Sequence, residues 1–316
     1  MTATLDAPQQ PPNSLESAPG VSKLGDKLFG GVSKGAGILI LIVLAAVAAF
    51  LIAQAIPTFT NETDKPFPQY VGPLIFGTIW AAFLALLIAT PLAVGVALFT
   101  SHYAPRRLAA TLGWFIDLLA AVPSVVYGLW GSSVFAPVLA RSVYPWLEDN
   151  LGFIPLFKGP ASTSGRTMMT VALVLAVMIL PIITAISREV FLQTPRLHEE
   201  ASLALGATRW EMIRQSVLPY GRSGVISGAM LGLGRALGET MAVAIILSPA
   251  NIITFNIISN QNPNTIAANI ALKFPESAGV SVNRLIATGL VLFLLTFIVN
   301  ALARRIARAG FSGADG

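Results

Sequence analysis

The chain has 316 residues, of which 54% are hydrophobic and only 11% charged, and its mean hydropathy is +0.73. A soluble globular protein of this length needs more polar side chains to cover its surface. The composition therefore predicts an integral membrane protein. The net charge is +5, but the basic residues are not gathered on one face with stacking aromatics, as nucleic-acid binding requires. The chain has no cysteine, which excludes disulfides and thiolate metal sites.

The amino-terminal segment falls into two parts. Residues 1–20 are rich in Pro, Gln and Ser and hold too little apolar surface to offset the entropy of ordering, so we predict a disordered cytoplasmic tail. Over residues 21–35, apolar side chains recur at helical spacing beside three lysines. That pattern fits either an amphipathic helix on the inner membrane surface or a basic lead-in to the first span.

Six apolar segments are long enough to cross a bilayer, since about 20 helical residues match the hydrocarbon thickness. They cover residues 36–56, 71–99, 112–140, 168–186, 224–248 and 285–302. Thirteen Lys and Arg residues flank one side of these segments and six flank the other. Because positively charged flanks stay in the cytoplasm, both termini are predicted to be cytoplasmic. The sequence therefore predicts an all-α membrane protein with six transmembrane helices over residues 36–304, followed by a cytoplasmic tail at 305–316.

The second long outer loop, residues 249–283, contains the apolar stretch NIITFNIISN. This stretch is too short and too often interrupted by Asn to span a membrane. We interpret it as an interfacial or partner-facing helix.

Pro123 lies near the middle of the third span and removes the hydrogen bond to the carbonyl of Leu119. Such a break is tolerated where polar groups satisfy the freed carbonyl, and Ser124 and Tyr127 supply hydroxyls beside it. Two interpretations remain open. The hydroxyls line a substrate pathway, or the proline only kinks the helix.

The segment between the fourth and fifth spans carries start and stop signals for two short helices. Thr194, followed by proline, is predicted to cap the first helix, and Gly206 to end it in a left-handed conformation. Thr208 and Glu211 match a capping box at the start of the second helix. Pro219 is expected to stop that helix.

The same segment resembles the EAA signature of ABC importer permeases, in which EAA, three residues, G, nine residues, I, one residue and LP follow in order. The matching residues here are Glu200-Ala201-Ser202, Gly206 and Ser216-Val217-Leu218-Pro219. Ser202 and Ser216 stand where the family has alanine and isoleucine. The resemblance implies the MetI-like, type I permease architecture, with coupling helices at 194–220 that dock on a cytoplasmic ATPase. The coupling residues it implies are Glu200, Ala201, Gly206, Leu218 and Pro219.

Two further stretches are similar to the phosphate-specific ABC transporter permeases, and the order of features is closest to the PstC-type subunit. They are IDLLAAVPSVVYGLWG at 116–131 and GLGRALGETMAV at 232–243. The resemblance implies a permease subunit of an ATP-driven importer of inorganic phosphate in the plasma (inner) membrane. It implies as partners a homologous PstA-type permease, a PstB-type ATPase dimer and a PstS-type extracytoplasmic phosphate-binding protein, beside the lipid bilayer and without nucleic acid.

Arg235 and Glu239 stand four residues apart in the fifth apolar segment. A charged side chain at that depth costs about 2.5 to 3.5 kcal/mol, so such residues are functional hypotheses by default. On one helical face the two would form an ion pair. A guanidinium suits an oxyanion, and a carboxylate accepts the proton that phosphate retains. We therefore predict a substrate pathway with Arg235, Glu239, Ser124 and Tyr127, the alternative being an ion pair that only locks two helices.

Glycines surround Arg235 at four-residue steps, as Gly224, Gly228 and Gly232 and again as Gly234 and Gly238. Small residues at this spacing let helix backbones approach closely. The pattern predicts that the fifth span packs at a subunit interface.

The chain contains no GxxxxGK[ST] phosphate-binding loop. It is therefore predicted to be a transport subunit and not an enzyme, with ATP and Mg²⁺ bound by the partner ATPase and with no cofactor or metal of its own. Two alternatives stay open. A guanidinium does not distinguish phosphate from sulfate or molybdate, and a proton-driven secondary transporter could use Glu239 as its relay, although the EAA-like loop argues against the latter.

Overall fold

The computed structural model describes residues 23–60 and 66–309. The predicted disordered tail at 1–20 lies outside these residues, as do residues 310–316 of the predicted carboxy-terminal tail. The first half of the described chain forms α1 (Lys23–Ala55), α2 (Pro57–Thr60), α3 (Phe67–Leu98), α4 (Arg106–Ala121), α5 (Ser124–Trp130), α6 (Ala136–Val138) and α7 (Tyr144–Leu151). The second half forms α8 (Met168–Leu192), α9 (Arg196–Ala204), α10 (Arg209–Met212), α11 (Leu218–Gly238), α12 (Met241–Ile246), α13 (Ile266–Lys273) and α14 (Val280–Ala309).

Short non-α elements join several of these helices. π-helical turns cover Phe99–Tyr103, Gly131–Phe135, Leu139–Val143 and Ile213–Val217, and a 3₁₀ turn covers Phe274–Glu276. Two two-residue strands, β1 (Pro249–Ala250) and β2 (Asn262–Pro263), pair in parallel, with Pro249 opposite Asn262. The prediction of an all-α fold is confirmed.

The contacts divide the chain into two units, one up to Phe50 and one from Leu51 onward. Helix α1 begins at Lys23 and ends at Ala55, one residue before the end of the first predicted span. The basic residues of 23–35 therefore belong to the same helix as that span. Whether they lie on the inner membrane surface stays a prediction.

The core of the second unit is built around α8, which packs against α3, α4 and α11. Close packing is possible because α3 presents a stripe of alanines at four-residue steps, all fully buried or nearly so. These are Ala81, Ala85, Ala89, Ala93 and Ala97. Helix α8 carries large buried aliphatic side chains, including Val171, Leu175, Ile179 and Ile183. They belong to the same hydrophobic core as the first four of these alanines, so small residues of α3 and large residues of α8 pack together there.

The first glycine series of α11 faces α8 of the same chain. A Cβ atom on Gly224 would overlap the Val190 side chain, and one on Gly232 would lie 3.1 Å from Ile183 Cδ1. This series therefore serves packing within the chain, and the position of the fifth span at a subunit interface stays a prediction. Gly234 and Gly238 differ, since a Cβ there would meet nothing within 4 Å among the described residues.

All six predicted spans are helical, but two of them are broken. The described residues contain four uninterrupted helices long and apolar enough to cross a membrane, at Lys27–Thr60, Phe67–Tyr103, Met168–Leu192 and Val280–Arg305. A bent pair, Arg106–Ala121 and Ser124–Leu151, meets the same test together across an angle of 92°. The fifth segment divides into α11 and α12, and its glycines, Arg235 and Glu239 lower its hydropathy.

The predicted helix in NIITFNIISN is absent. Residues 251–260 are irregular, with Ile257 and Ile258 buried and bonded through their backbones to neighbouring segments. Ile257 N–H donates to the Leu156 carbonyl at 3.0 Å, and the Ile258 carbonyl accepts from Ser162 N–H at 2.8 Å. The asparagines explain the difference, because their side chains compete with helix formation by bonding to backbone groups, as Asn256 Oδ1 does with Ile258 N–H at 3.1 Å.

Candidate functional site

The third span breaks at Pro123, where the helix stops instead of merely kinking. Val122 and Pro123 both adopt extended backbone conformations, with ψ of 128° and 141°. The freed carbonyl of Leu119 accepts a hydrogen bond from the hydroxyl of Tyr127 at 2.8 Å. A neighbouring polar group thus satisfies this carbonyl, as the sequence predicts, and the buried Tyr127 side chain stabilises the bend.

The second break lies beside the first. Helix α5 packs against α12, and a Cβ atom at Gly128 would lie 2.9 Å from Ala242 Cα, which is too close for any other residue to fit without movement. Two interrupted helices therefore meet at the same place. Interrupted helices at membrane depth offer backbone groups that polar cargo can use, and they are common at transport sites.

The predicted ion pair between Arg235 and Glu239 is wrong. Helix α11 ends at Gly238, and Glu239 has an extended backbone with ψ of 126°, so the two side chains do not share a helical face. The Glu239 side chain is 92% buried, and its Oε1 accepts from the Ala242 N–H at 3.1 Å. Within residues 23–60 and 66–309, the ion pair found within 4 Å joins His102 and Glu199. The carboxylate instead satisfies an amide at the start of α12, where the helix dipole favours negative charge.

Arg235 is left without a carboxylate partner. Its side chain is half-buried, and its Nε is buried without a hydrogen-bond partner among the described residues. It lines an open cavity of about 610 Å³ on the face of α11. The other lining residues are Ser227, Met230, Leu231, Gly234, Asn300 and Arg304.

The four predicted pathway residues are only partly brought together. Tyr127 lies in α5, which packs against α12. Glu239 follows Arg235 by one turn but points to α12. Ser124 is the half-buried first residue of α5. Of the four, Arg235 alone lines the cavity, and Asn300 and Arg304 are lining residues that the sequence analysis did not single out.

The first helix of the segment 194–220, here called the coupling loop, ends as predicted but begins differently. Gly206 has φ of +85°, and its N–H donates to the Leu203 carbonyl at 3.0 Å while Ala207 N–H donates to the Ser202 carbonyl at 3.2 Å. This is the Schellman arrangement that glycine favours. The predicted cap at Thr194 is wrong, since Pro195 occupies the N-cap position and Thr194 Oγ1 has no hydrogen-bond partner within the described chain.

The second helix begins as predicted but does not end at Pro219. The capping box is complete, with Thr208 N–H donating to Glu211 Oε2 at 2.8 Å and Glu211 N–H donating to Thr208 Oγ1 at 3.3 Å. The predicted stop is wrong because a π-helical turn, Ile213–Val217, precedes the proline. The wider turn accommodates the missing N–H of Pro219, which then sits in the first turn of α11. The helix from α10 to α11 is therefore continuous.

The surface of the coupling loop is exposed and apolar. Helix α9 has no buried residue, and Leu197, Leu205 and Trp210 are 77%, 89% and 56% exposed. Glu200, Ala201 and Gly206 are exposed on the same segment. A segment that served only to connect two spans and packed against its own bundle would bury apolar side chains of α9, and α9 buries none. The buried apolar residues of the coupling loop, such as Ile213 and Val217, lie in the turn before α11.

Two side-chain contacts hold α9 in place, and a third orients the histidine of one of them. Ser202 and Ser216, the two residues that depart from the EAA signature, bond to each other with 2.9 Å between their hydroxyl oxygens. His102 Nε2 lies 3.4 Å from Glu199 Oε1, and its Nδ1 lies 2.7 Å from Ser101 Oγ. His102 and Glu199 lie 97 positions apart in the chain, so no local sequence pattern predicts their contact.

A bundle of apolar and interrupted helices, with an exposed helix pair continuous with one of them, is the architecture expected of a membrane permease. A family model described as "Binding-protein-dependent transport system inner membrane component" matches residues 89–309, and the chain belongs to this family. A chain in a structure of the MetNI methionine ABC transporter, in an inward-facing conformation, has the same fold. It matches with a TM-score of 0.57 and 16% identity, over 78% of this chain and 99% of that one.

Relatives of known name are much more similar in sequence. The chain is 45% identical over 309 residues to the phosphate transport system permease protein PstC 2 of Mycobacterium tuberculosis, covering 92% of this chain and 94% of the relative. It is 40% identical over 296 residues to the phosphate transport system permease protein PstC of Mesorhizobium japonicum, covering 89% of each.

Proposed function

We propose that this chain is the permease subunit through which an ATP-driven ABC importer moves inorganic phosphate across the plasma (inner) membrane. The names of its relatives support this proposal. The main structural observation behind it is the environment of Arg235. It is a half-buried cation, without a carboxylate within 4 Å in the described chain, on the wall of an open cavity.

A cation in that position needs a compensating charge, because desolvation of an unpaired ion costs several kcal/mol. Phosphate supplies that charge, and the planar guanidinium donates two parallel hydrogen bonds to a tetrahedral oxyanion. The carboxylate of Glu239 is engaged by the Ala242 N–H. That contact supports a positioning role at the break and offers no support for a proton relay. Tyr127 and Ser124 supply hydroxyls on the neighbouring broken helix.

Transport in this proposal requires other subunits. A homologous PstA-type permease completes the pathway, since the cavity beside Arg235 is open in this chain alone. A PstB-type ATPase dimer binds ATP and Mg²⁺, and a PstS-type protein delivers phosphate from outside. The exposed Leu197, Leu205 and Trp210 supply apolar area for the ATPase to cover, as expected of a docking surface. Both termini are proposed to be cytoplasmic.

The continuous helix from Arg209 to Gly238 links the coupling loop to Arg235. Its 30 residues span about 45 Å at the helical rise. Movement of the coupling loop by the ATPase would therefore be transmitted along one element to the cation. Rigid-body motion of this kind is a common means of alternating access.

The proposal is tested with the complete transporter in proteoliposomes, with ATP supplied on the side of the membrane to which the ATPase subunits face. Labelled phosphate should enter only with ATP, and uptake should survive collapse of the proton gradient. A large excess of sulfate should leave the rate unchanged. Equal competition by sulfate would reassign the cargo to oxyanions in general, and uptake driven by the proton gradient without ATP would overturn the importer class.

A further inference from the structure

The cavity beside Arg235 contains a second cation. It lies along the groove between α11 and α14, and Arg304 and Asn300 line it from α14 while Ser227 and Arg235 line it from α11. Its lining includes two guanidinium groups and no carboxylate. The remaining wall is apolar, with Met230 and Leu231.

Two like charges on one groove repel each other, although water screens the exposed Arg304 more than the half-buried Arg235. An anion between them compensates both charges. A volume of about 610 Å³ is large enough for a tetrahedral oxyanion together with part of its hydration shell. The electrostatics therefore favour an anionic occupant.

Arg304 is held in a position to use the groove. Its Nε donates to the Asn300 carbonyl one turn earlier at 3.3 Å, which lays the side-chain stem along α14. The amide of Asn300 lies on the same face of the helix and adds donors. Ser227 lies eight residues before Arg235 on α11, about 12 Å nearer the coupling loop.

We propose that Arg304, Asn300 and Ser227 form a second site for a phosphate group, displaced from Arg235 toward the coupling loop, where the transported anion is received after it leaves Arg235. The inference rests on the proposed function and adds a receiving site to it. The chemistry recognised is a phosphate group, which free inorganic phosphate and a phospholipid headgroup both carry.

Uptake by the reconstituted transporter tests the receiving role. Arg304→Gln should lower the maximal rate of phosphate uptake about tenfold, as expected for loss of one charge-assisted hydrogen bond, while the half-saturating concentration stays unchanged because capture precedes this site. Arg304→Lys should recover part of the rate. Arg305→Gln is the matched control, since it removes the same charge from the next position outside the cavity lining, and it should transport as the unmodified chain does. Equal rates for Arg304→Gln and Arg305→Gln, whether normal or reduced, would overturn the proposal.

A labelling experiment distinguishes the two sources of phosphate. The chain has no cysteine, so Ser227→Cys introduces a single thiol into this subunit. In the detergent-purified transporter without added lipid, inorganic phosphate should slow alkylation of that thiol, and it should not do so when Arg304→Gln is also present. Protection by added phospholipid alone would assign the groove to headgroups, and no protection by either would leave it without an anion, so both results overturn the proposal. Failure of the proposed function has a different signature, because the unmodified transporter would then take up no phosphate.

Discussion

The two charged residues of the fifth segment occupy different environments although they are four positions apart. Arg235 faces an open cavity, whereas Glu239 is buried against the start of α12. A buried carboxylate is stabilised when amide groups donate to it, and the first amides of a helix are unpaired otherwise. Glu239 therefore stabilises the helix break, and Arg235 remains available to an anion.

This assignment predicts different results for two substitutions of Glu239. Glu239→Gln keeps an oxygen that accepts from the Ala242 N–H, so the break should persist. Glu239→Ala leaves that amide without its partner, at a cost of about 1 to 3 kcal/mol, and should increase amide hydrogen exchange at Ala242. Equal exchange in the two variants would contradict the capping role.

The hydroxyl of Tyr127 has a similar role at the other break. Tyr127→Phe removes the shorter of two hydrogen bonds to the Leu119 carbonyl, which also accepts from the Val122 N–H at 3.3 Å. We expect the variant to lose about 0.5 to 1.5 kcal/mol of stability, seen as a lower midpoint of thermal unfolding of the purified complex. Tyr103→Phe, at an exposed tyrosine, is the control, and an equal shift in both variants would show that the bond does not stabilise the bend.

At the scale of elements, the two breaks differ in how far the sequence predicts them. Pro123 lacks an N–H, so an interruption of the helix there is expected. The sequence does not predict the 92° angle between the two helices that flank it. No proline marks the second break, and Gly238-Glu239 reads as part of a continuous apolar segment. The signal that was available is a carboxylate just before a short apolar run, which is typical of a helix start.

At the start of α11, a proline does not end the helix as the sequence predicts. Pro219 predicts a stop, yet the π-helical turn before it absorbs the missing hydrogen bond. Such turns depend on packing, here of the buried Ile213 and Val217 against Phe191, and packing between distant residues is not visible in a local pattern.

The Ser202 and Ser216 hydroxyls should stabilise the coupling loop jointly. A cycle of Ser202→Ala, Ser216→Ala and the double variant should give a coupling free energy of about 0.5 to 1.5 kcal/mol, read from amide exchange in α9. Combining Ser202→Ala with Ser132→Ala, a hydroxyl that bonds within its own helix, should be additive. Additivity in both cycles would contradict the contact.

The capping box should make the start of the second coupling helix sensitive to acid. The backbone N–H and the hydroxyl of Thr208 donate to the Glu211 carboxylate and lower the pKa of Glu211. A lowered folded-state pKa means that this contribution is present above the unfolded pKa and is lost as pH falls through the folded value. Amide exchange near Thr208, corrected for its intrinsic rate, should therefore increase in acid. Glu211→Gln does not titrate, and the same acid response in that variant would refute the assignment.

In the whole molecule, the sequence predicts where the apolar helical segments lie because hydropathy is a local property, but four of the six predicted spans, or five with the bent pair, are long and apolar enough to cross a membrane among the described residues. It does not predict the segment 251–260, whose conformation depends on bonds to residues about 95 positions earlier, such as Ser162. The same limit applies to the cavity, since Asn300 and Arg304 reach it only through the packing of α14 on α11.

Phosphate uptake by the Arg235→Gln variant measures whether Arg235 compensates the charge of the transported phosphate. In proteoliposomes that contain the complete transporter, the variant should assemble normally and its ATP-dependent uptake of labelled phosphate should fall to background, because a neutral amide does not compensate the charge of the anion. Arg222→Gln, at an exposed arginine of the same helix, should transport normally. Normal uptake by the correctly assembled Arg235→Gln transporter would contradict the account.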